Sequence, residues 1–523
     1  MREGDRVSRR DSVGLGRVAR GGAVNMAGAV IGAALNVGLV IAVTRAFSQE
    51  TAGAFFSATS VFLIVLAVAN LGTSNGVVYF VARLRTLGAA GLVPRVLRLA
   101  FGPVVAVSLA LSCLMLASAG ALAEWLGDPE VGAYLVLLAA FLPFAVYADA
   151  ALAATRGFHD MRATVLLDKV ARPLAQLALL GGVALTGAAG LLTVAWAGPY
   201  LPAALLAGWW LRRIMRAAPP APPAPDPDAE PPRVDARTFW AFALPRSVAS
   251  VAQIGIQRSG IVLVAALRGA ADAALFTAAT RFMVVGQFGT QAIQFAVQPR
   301  LAELLAVEDR AGANTLYRTS TAWLICLTWP LYLPAIVYAP LMLRPFGADY
   351  STGWGVLVVV SAGMLVSSAC GMSDLVLTMA GRTGWNLVNN LAALVVTVAV
   401  SLALIPSAGA VGAALAWAAA IVVRNLLPIL QLSRSMGLHP FSRTWLIAVA
   451  ACLVWFVPAP LACRAVLGSD PLSLAVALAL GGAGYAATLW RLRGTLGLTG
   501  LLRRRARAEA VVEDPGKTVP TPL

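Results

Sequence analysis

AGAFFSATSVFLIVLAVA, residues 52–69, contains no charged side chain, and the charge-free run around it extends from Thr51 to Ala82. A helix needs about 20 mainly apolar residues to cross a bilayer. This stretch, read as a span over 53–82, therefore decides the fold class. The rest of the chain has the same character. Of 523 residues, 59% are hydrophobic and 12% charged, with a mean hydropathy of +0.79, whereas an ordinary soluble domain is about 25% charged. One soluble core cannot hide that much apolar surface. Five scattered cysteines exclude a disulfide scaffold, and the hydropathy excludes disorder. The formal net charge of +16 does not indicate nucleic acid. Such binders gather their bases on a hydrated face, and here the bases punctuate apolar runs. A transmembrane barrel would show short alternating segments, which the sequence lacks. The reading is an all-α polytopic membrane protein.

Working outward from 53–82, about fourteen candidate transmembrane helices appear. They are 21–46, 53–82, 95–120, 131–154, 165–186, 190–213, 239–267, 273–305, 319–342, 352–380, 385–405, 409–434, 443–466 and 471–493. Several exceed 25 residues, which implies tilt or extension beyond the bilayer. Basic residues orient the spans. With the N-terminus inside, the inner segments and adjoining helix ends hold 32 of the 40 Lys+Arg. In that count Lys169 and Arg172 belong to the loop before the fifth span. Outer loops hold Arg45, Arg268, Arg344 and Arg464, and the spans hold Arg246, Arg258, Arg281 and Arg424. This bias places both termini in the cytoplasm of a multi-pass protein of the cell (inner, cytoplasmic) membrane. No trusted small-residue cleavage site follows the basic start, so the first span reads as retained.

AAPPAPPAPDPDAEPP, residues 217–232, can neither span nor fold and reads as an extended linker. It separates six spans from eight, and the opening stretch has a counterpart beyond it. AGAFFSATSVF at 52–62 aligns with DAALFTAATRF at 272–282, a period of about 220 residues. TGAAGLLTVAWA at 186–197 aligns with SAGAVGAALAWA at 407–418. Gly127 corresponds to Gly347, and Asp149 falls near Asp374. A repeat of six helices begins and ends on the same side, so the halves are parallel, an arrangement found in alternating-access transporters. The expected organisation is a basic N-tail 1–20, an N-lobe 21–213, a Pro-rich linker 214–238 and a C-lobe 239–434. An appendix of two extra helices at 443–493 and a cytoplasmic tail at 494–523 complete it. The tail carries Arg503, Arg504, Arg505 and Arg507, a positive-inside anchor that can also meet anionic head groups.

With the repeat in view, longer segments resemble a known family. In the second half, FALPRSVASVAQIGIQRSGIVLVAALRGAADAALFTAATRF at 242–282 resembles the opening of polysaccharide flippases. So do VQPRLAELLAVEDRAGA at 297–313, RPFGADYSTGWGVLVVVSAG at 344–363 and IPSAGAVGAALAWAAA at 405–420. VTRAFSQETAGAFFSATSVF resembles that family's junction between the first two spans. These are the Wzx-type lipid-linked oligosaccharide flippases of the MOP exporter superfamily, which also contains lipid II flippases and MATE drug exporters. The resemblance covers roughly residues 20–435. It implies two six-helix lobes around a central cavity. The activity it implies is translocation of polyprenyl-diphosphate-linked sugars from the inner to the outer leaflet. Two departures stand out. Many relatives carry an acid near the position of Arg258, and the arginine-rich, glycine-containing motif of lipid II flippases is missing here.

A diphosphate crossing hydrocarbon needs cationic hydrogen-bond donors, and arginine's planar fork suits it. An intramembrane charge costs on the order of 2.5–3.5 kcal/mol even on the lenient insertion scale, so it normally faces a cavity or a partner. Arg246, Arg258 and Arg281 are therefore the candidate diphosphate ligands. Arg246 and Arg258 are twelve residues apart and point about 120° from one another at 100° per residue. Arg424 is explained equally well by snorkelling and is left out. Sugars need neutral polar partners. Gln287, Gln291, Gln294 and Gln298 follow one another at spacings of four, three and four on one stripe, beside Thr290. They form either a sugar-facing wall or an interhelical seam. Asn25 and Asn36 share a face of the first span and fall near Arg246 and Gln257 under the repeat, which gives one neutral wall opposite one cationic wall. Packing is the alternative role for these asparagines. Asp149 and Asp374, acids inside spans, are candidates for ion coupling or an inner gate, with a local salt bridge such as Asp149 to Arg156 as the structural alternative.

No catalytic constellation appears, so the chain is not read as an enzyme. His159 and His439 are far apart, no CxxC occurs, and a GxxxxGK[ST] phosphate loop is missing. No metal or cofactor is implied, and a proton, sodium or the membrane potential remains as the driving force. A drug exporter should have an acidic cavity, and a glycan polymerase or ligase should have long outer loops; neither pattern is present. The expected partners are a polyprenyl-diphosphate-linked glycan, the bilayer, and a polymerase or glycosyltransferases of the same pathway. The alternatives are a lipid II flippase and a MATE-like small-molecule exporter.

Overall fold

The computed structural model describes residues 27–217 and 234–496. The basic N-tail, Asn25, the centre of the linker and the arginine-rich C-tail lie outside them. Among the described residues every regular element is a helix. Ten helices are long and apolar enough to cross a membrane, and Pro129–Ala139 with Leu142–Gly157, bent by 50°, makes up to eleven. Within the described residues the expected spans fall on helical runs, and 21–26 of the first span lie outside them.

In the first half these are α1 (Ala27–Ala46), α2 (Gln49–Ala69), α3 (Thr73–Thr86), α4 (Val93–Leu126), α5 (Pro129–Ala139) and α6 (Leu142–Gly157). They continue with α7 (Arg172–Thr186), α8 (Leu192–Ala197) and α9 (Tyr200–Ala217). Local chemistry sets their ends. Ser48 and Asp128 accept backbone N–H bonds from Thr51 and Glu130 at the starts of α2 and α5. Gly127 and Gly187 close α4 and α7 in the left-handed conformation. The fifth expected span begins in π geometry over Thr164–Ala171. Pro173 has no N–H to offer the Lys169 carbonyl. That carbonyl lies against α1, where a Cβ on Gly32 would stand 2.8 Å from it.

The remaining helices are α10 (Ala236–Arg268), α11 (Ala270–Ala306), α12 (Arg310–Val337), α13 (Ala339–Leu343), α14 (Trp354–Cys370) and α15 (Ser373–Met379). They are followed by α16 (Thr383–Met436), α17 (Arg443–Phe456), α18 (Pro458–Leu467) and α19 (Pro471–Arg491). The long α16 contains the expected spans 385–405 and 409–434. It breaks between them at Gly409, whose φ of 55° and ψ of −137° suit glycine alone.

The chain forms two compact units made of interleaved segments. The first comprises the described residues up to Val285 together with Leu343–Val360 and Leu387–Ala420. In it α10 lies along α2 and α3. Two glycines permit close approaches here. A Cβ on Gly53 of α2 would overlap the Ala270 carbonyl at the start of α11, and Gly72, at φ 70°, sits against the Ala243 carbonyl of α10. Phe239 packs with Val77, Phe80 and Leu84, and Phe242 stacks on Tyr79 at 4.3 Å. Arg45 donates to the carbonyls of Pro345 and Arg344 at 2.7 and 2.8 Å.

The second unit comprises Gly286–Met342, Ser361–Asn386 and the chain from Ile421. Here the expected appendix packs on α12. Tyr485 donates to the Cys326 carbonyl at 2.8 Å, and Tyr338 bonds Ser473 at 2.7 Å. Trp455 ties α17 to Thr488 of α19 at 2.9 Å. Arg464 donates to the Val337 carbonyl.

Candidate functional site

Within the first unit, a cavity of about 200 Å³ opens among helices that the linear sequence keeps far apart. Helix α1 contributes Asn36, Leu39 and Val40. From α2 come Phe55, Phe56, Thr59, Ser60 and Leu63, a stripe at helical spacing. Trp196 and Tyr200 come from the ends of α8 and α9, and Arg172 from the start of α7. Helix α10 supplies Arg258 and Ile261, and α11 supplies Thr277 and Arg281, one turn apart. Along both α2 and α10, the cavity residues lie between the two glycine contacts, Gly53 with Ala270 and Gly72 with Ala243. The repeat-related segments 52–62 and 272–282 thus both reach the same space. The first offers hydroxyls and aromatic rings, and the second offers a cation.

The three arginines are not equivalent. Arg172 donates to Asp168 at 2.7 Å and to the Tyr200 hydroxyl at 3.2 Å, with its guanidinium 4.8 Å from the Tyr200 ring centre. Asp168 also meets Lys169 at 3.4 Å. Among the described residues Arg281 donates only to the Thr277 carbonyl of its own helix, at 3.3 Å. Among the described residues no carboxylate pairs with Arg258 or Arg281. The cavity therefore holds two uncompensated guanidinium charges beside one internally paired. An anion entering it would gain charge-assisted hydrogen bonds in surroundings where Coulombic attraction is poorly screened.

The neutral wall is preorganised. Trp196 stands edge-on to Phe55 and Phe62 at 6.4 and 5.7 Å. Its backbone carbonyl is held by Gln176 at 2.6 Å. Thr59 and Ser60 donate to Phe55 and Phe56 carbonyls at 2.9 and 2.7 Å, which leaves their oxygens as acceptors toward the space. The buried Thr277 hydroxyl has no hydrogen-bond partner among the described residues. Aromatic faces and hydroxyls are the partners a sugar or lipid-linked head group would use.

Of the expected site residues, the structure brings together Asn36, Arg258 and Arg281. It adds Arg172, which the loop assignment had removed from consideration. Arg246 is not in the cavity. It is exposed, donates to the Phe242 carbonyl at 3.0 Å and lies 3.7 Å over the Phe242 ring. The twelve-residue offset from Arg258 turns it to another face. Gln257, next to Arg258, is likewise exposed and does not line the space. Gln287, Gln291 and Gln298 are exposed and Gln294 is half-buried. These four lie on the part of α11 that belongs to the second unit, and none lines the cavity. Asp149 accepts from Asn70 at 3.4 Å, and among the described residues no ion pair joins it to Arg156. Asp374 pairs with Arg424 at 3.7 Å, which gives that arginine a structural partner. Among the described residues no group of His, Cys, Asp and Glu is arranged to hold a metal ion.

Comparison with known proteins agrees with this architecture. A family profile described as "Polysaccharide biosynthesis protein" matches residues 52–354. The lipid II flippase MurJ in an inward closed conformation superposes with a TM-score of 0.70 at 11% identity, over 91% of this chain and all of that one. An inward-facing multidrug resistance MATE family transporter of the MOP superfamily gives 0.64 at 15% identity, covering 77% of this chain and 94% of the other. A MOP superfamily transporter from Pyrococcus furiosus, described as having a binding pocket of reverse polarity, gives 0.54 at 16%, covering 80% and 95%. A search of curated proteins finds no match.

Proposed function

The chain belongs to the polysaccharide biosynthesis protein family, and from that premise we propose that it is a flippase of the MOP superfamily for a polyprenyl-diphosphate-linked oligosaccharide. The cargo moves from the inner to the outer leaflet of the cell membrane by alternating access, with both termini in the cytoplasm. The halves 21–213 and 239–434 serve as the moving lobes. The observation that carries this reading is the pair of guanidiniums, Arg258 and Arg281, that share one cavity without a carboxylate partner among the described residues.

In this account the diphosphate binds Arg258 and Arg281 and competes with Asp168 for Arg172. Tyr200 and Trp196 stack against the first sugar, and Asn36, Thr59 and Ser60 accept and donate around it. At about 200 Å³ the cavity fits a charged head group, below the roughly 300–1,000 Å³ of ordinary ligand pockets. The glycan requires it to widen as the lobes move. A membrane potential negative inside favours outward movement of an anion by about 2.3 kcal/mol per charge per 100 mV. The potential is therefore the simplest driving force, with proton or sodium coupling through Asp149 as the alternative. Polymerase and glycosyltransferases of the same pathway would supply and consume the cargo.

A lipid II flippase is the second reading, supported by the likeness in fold to MurJ. A small-cation exporter is disfavoured by the positive cavity. The test is surface glycan in cells that carry Arg258→Ala or Arg281→Ala. Loss of glycan with normal membrane insertion supports the proposal, and full surface glycan in both variants overturns the assigned site. Rescue of a strain lacking its lipid II flippase would select the second reading.

A further inference from the structure

Helix α9 ends in a second basic cluster that plays no part in the cavity. Arg212, Arg213 and Arg216 line an open pocket with Trp209 at the linker end of the helix. Trp209 and Arg212 also line an adjoining apolar groove of about 350 Å³ among α4, α6 and α9. Its walls are Val105, Phe144 and Leu205, and Leu205 is 67% exposed. Its floor is Gly208, where a Cβ would meet the Tyr147 hydroxyl at 2.7 Å. The Arg213 guanidinium lies 5.4 Å from the centre of the Trp209 ring. Among the described residues none of the three arginines forms an ion pair.

We propose that this two-part surface binds one anionic diacyl phospholipid, its phosphate on Arg212, Arg213 and Arg216 and one acyl chain in the groove. A topology signal alone needs charges near a helix end. It does not need an apolar slot that shares two residues with the charged pocket. Arginines at a membrane edge, without an ion pair among the described residues, complement an anionic head group, and a tryptophan between the polar and apolar parts suits the interface. The groove is at the small end of ligand pockets. It accommodates a length of one acyl chain rather than a long polyprenyl chain. Placing the cluster in the inner leaflet rests on the orientation proposed above, but binding itself does not depend on transport.

Native mass spectrometry of the purified full-length protein tests the site, with phosphatidylglycerol and phosphatidylcholine of matched chains offered at equal concentration. The wild type is expected to retain phosphatidylglycerol by roughly tenfold or more over phosphatidylcholine. Arg212→Ala/Arg213→Ala/Arg216→Ala should bring the two lipids close to parity. Leu205→Trp, with all three arginines in place, should lower phosphatidylglycerol occupancy several-fold by filling the slot, and it carries the test if the triple variant fails to insert. Equal retention of both lipids by the wild type, or an unchanged preference in the triple variant, overturns the proposal. Displacement of phosphatidylglycerol by equimolar undecaprenyl phosphate overturns the choice of a diacyl lipid.

Discussion

Arg172 donates to the Asp168 carboxylate at 2.7 Å from one turn along the same helical run. Arg258 and Arg281, which line the same cavity, have no such partner among the described residues. The Asp168–Arg172 pair therefore sets how much positive charge the cavity shows. With it intact, two guanidiniums are free to meet an anion and a third is held in reserve. Release of Arg172 to an incoming diphosphate would let the site tighten as cargo arrives.

Asp168→Asn should free that third arginine. Removing one partner of a buried pair costs about 3–5 kcal/mol, and these side chains are 19% and 22% exposed. A stability loss on the order of 2 kcal/mol is therefore expected after partial screening, read as a lowered Tm in detergent. Diphosphate-lipid binding should tighten several-fold while transport slows, because release becomes harder. Unchanged binding would remove Arg172 from the site.

Arg246→Ala should leave export within about twofold of wild type. The side chain is exposed and its partners are the ring and carbonyl of Phe242, a contact worth about 0.5–1 kcal/mol at an exposed site. Surface glycan measured beside Arg258→Ala separates the two arginines of α10. Equal loss in both would place Arg246 on the transport path.

Gly53→Ala should destabilise the protein by about 1–3 kcal/mol or more. The added methyl meets the Ala270 backbone, which cannot yield as a flexible side chain would. Gly120→Ala on α4 is the control, since beyond its own chain neighbours and helix backbone a Cβ there has no atom within 4 Å. It should be neutral or gain up to about 1 kcal/mol from helix propensity. Thermal unfolding of both variants decides whether the close approach of α2 and α11 matters.

Much of the architecture was legible from residue order because hydrocarbon imposes long apolar runs. The separation of 385–405 from 409–434 has its physical cause in Gly409, which takes a backbone conformation closed to other residues. The repeat-related segments 52–62 and 272–282 both lie on helices that line the cavity, and its charge within an apolar run is what singles out Arg281 in the sequence. Arg172 escaped because Asp168, Lys169 and Arg172 together look like a polar loop. In the structure they form a π segment running into α7, with Asp168 neutralising the arginine. Arg246 failed for the opposite reason. Rotation about the helix axis, and not position along it, decides which face a side chain shares. The glutamine stripe shows that a periodic polar face identifies a helix surface without naming what it meets.

In the proposed function Arg258 and Arg281 hold the diphosphate of a lipid-linked glycan. That role is tested most directly by binding a polyprenyl-diphosphate sugar, and the matching uncharged polyprenol, to purified wild type and to Arg258→Ala/Arg281→Ala. Charge-assisted hydrogen bonds are worth about 1.5–3 kcal/mol each. The double variant should therefore bind the diphosphate about 100-fold or more weaker and the polyprenol equally well. Equal affinity of both proteins for the diphosphate lipid would contradict the account.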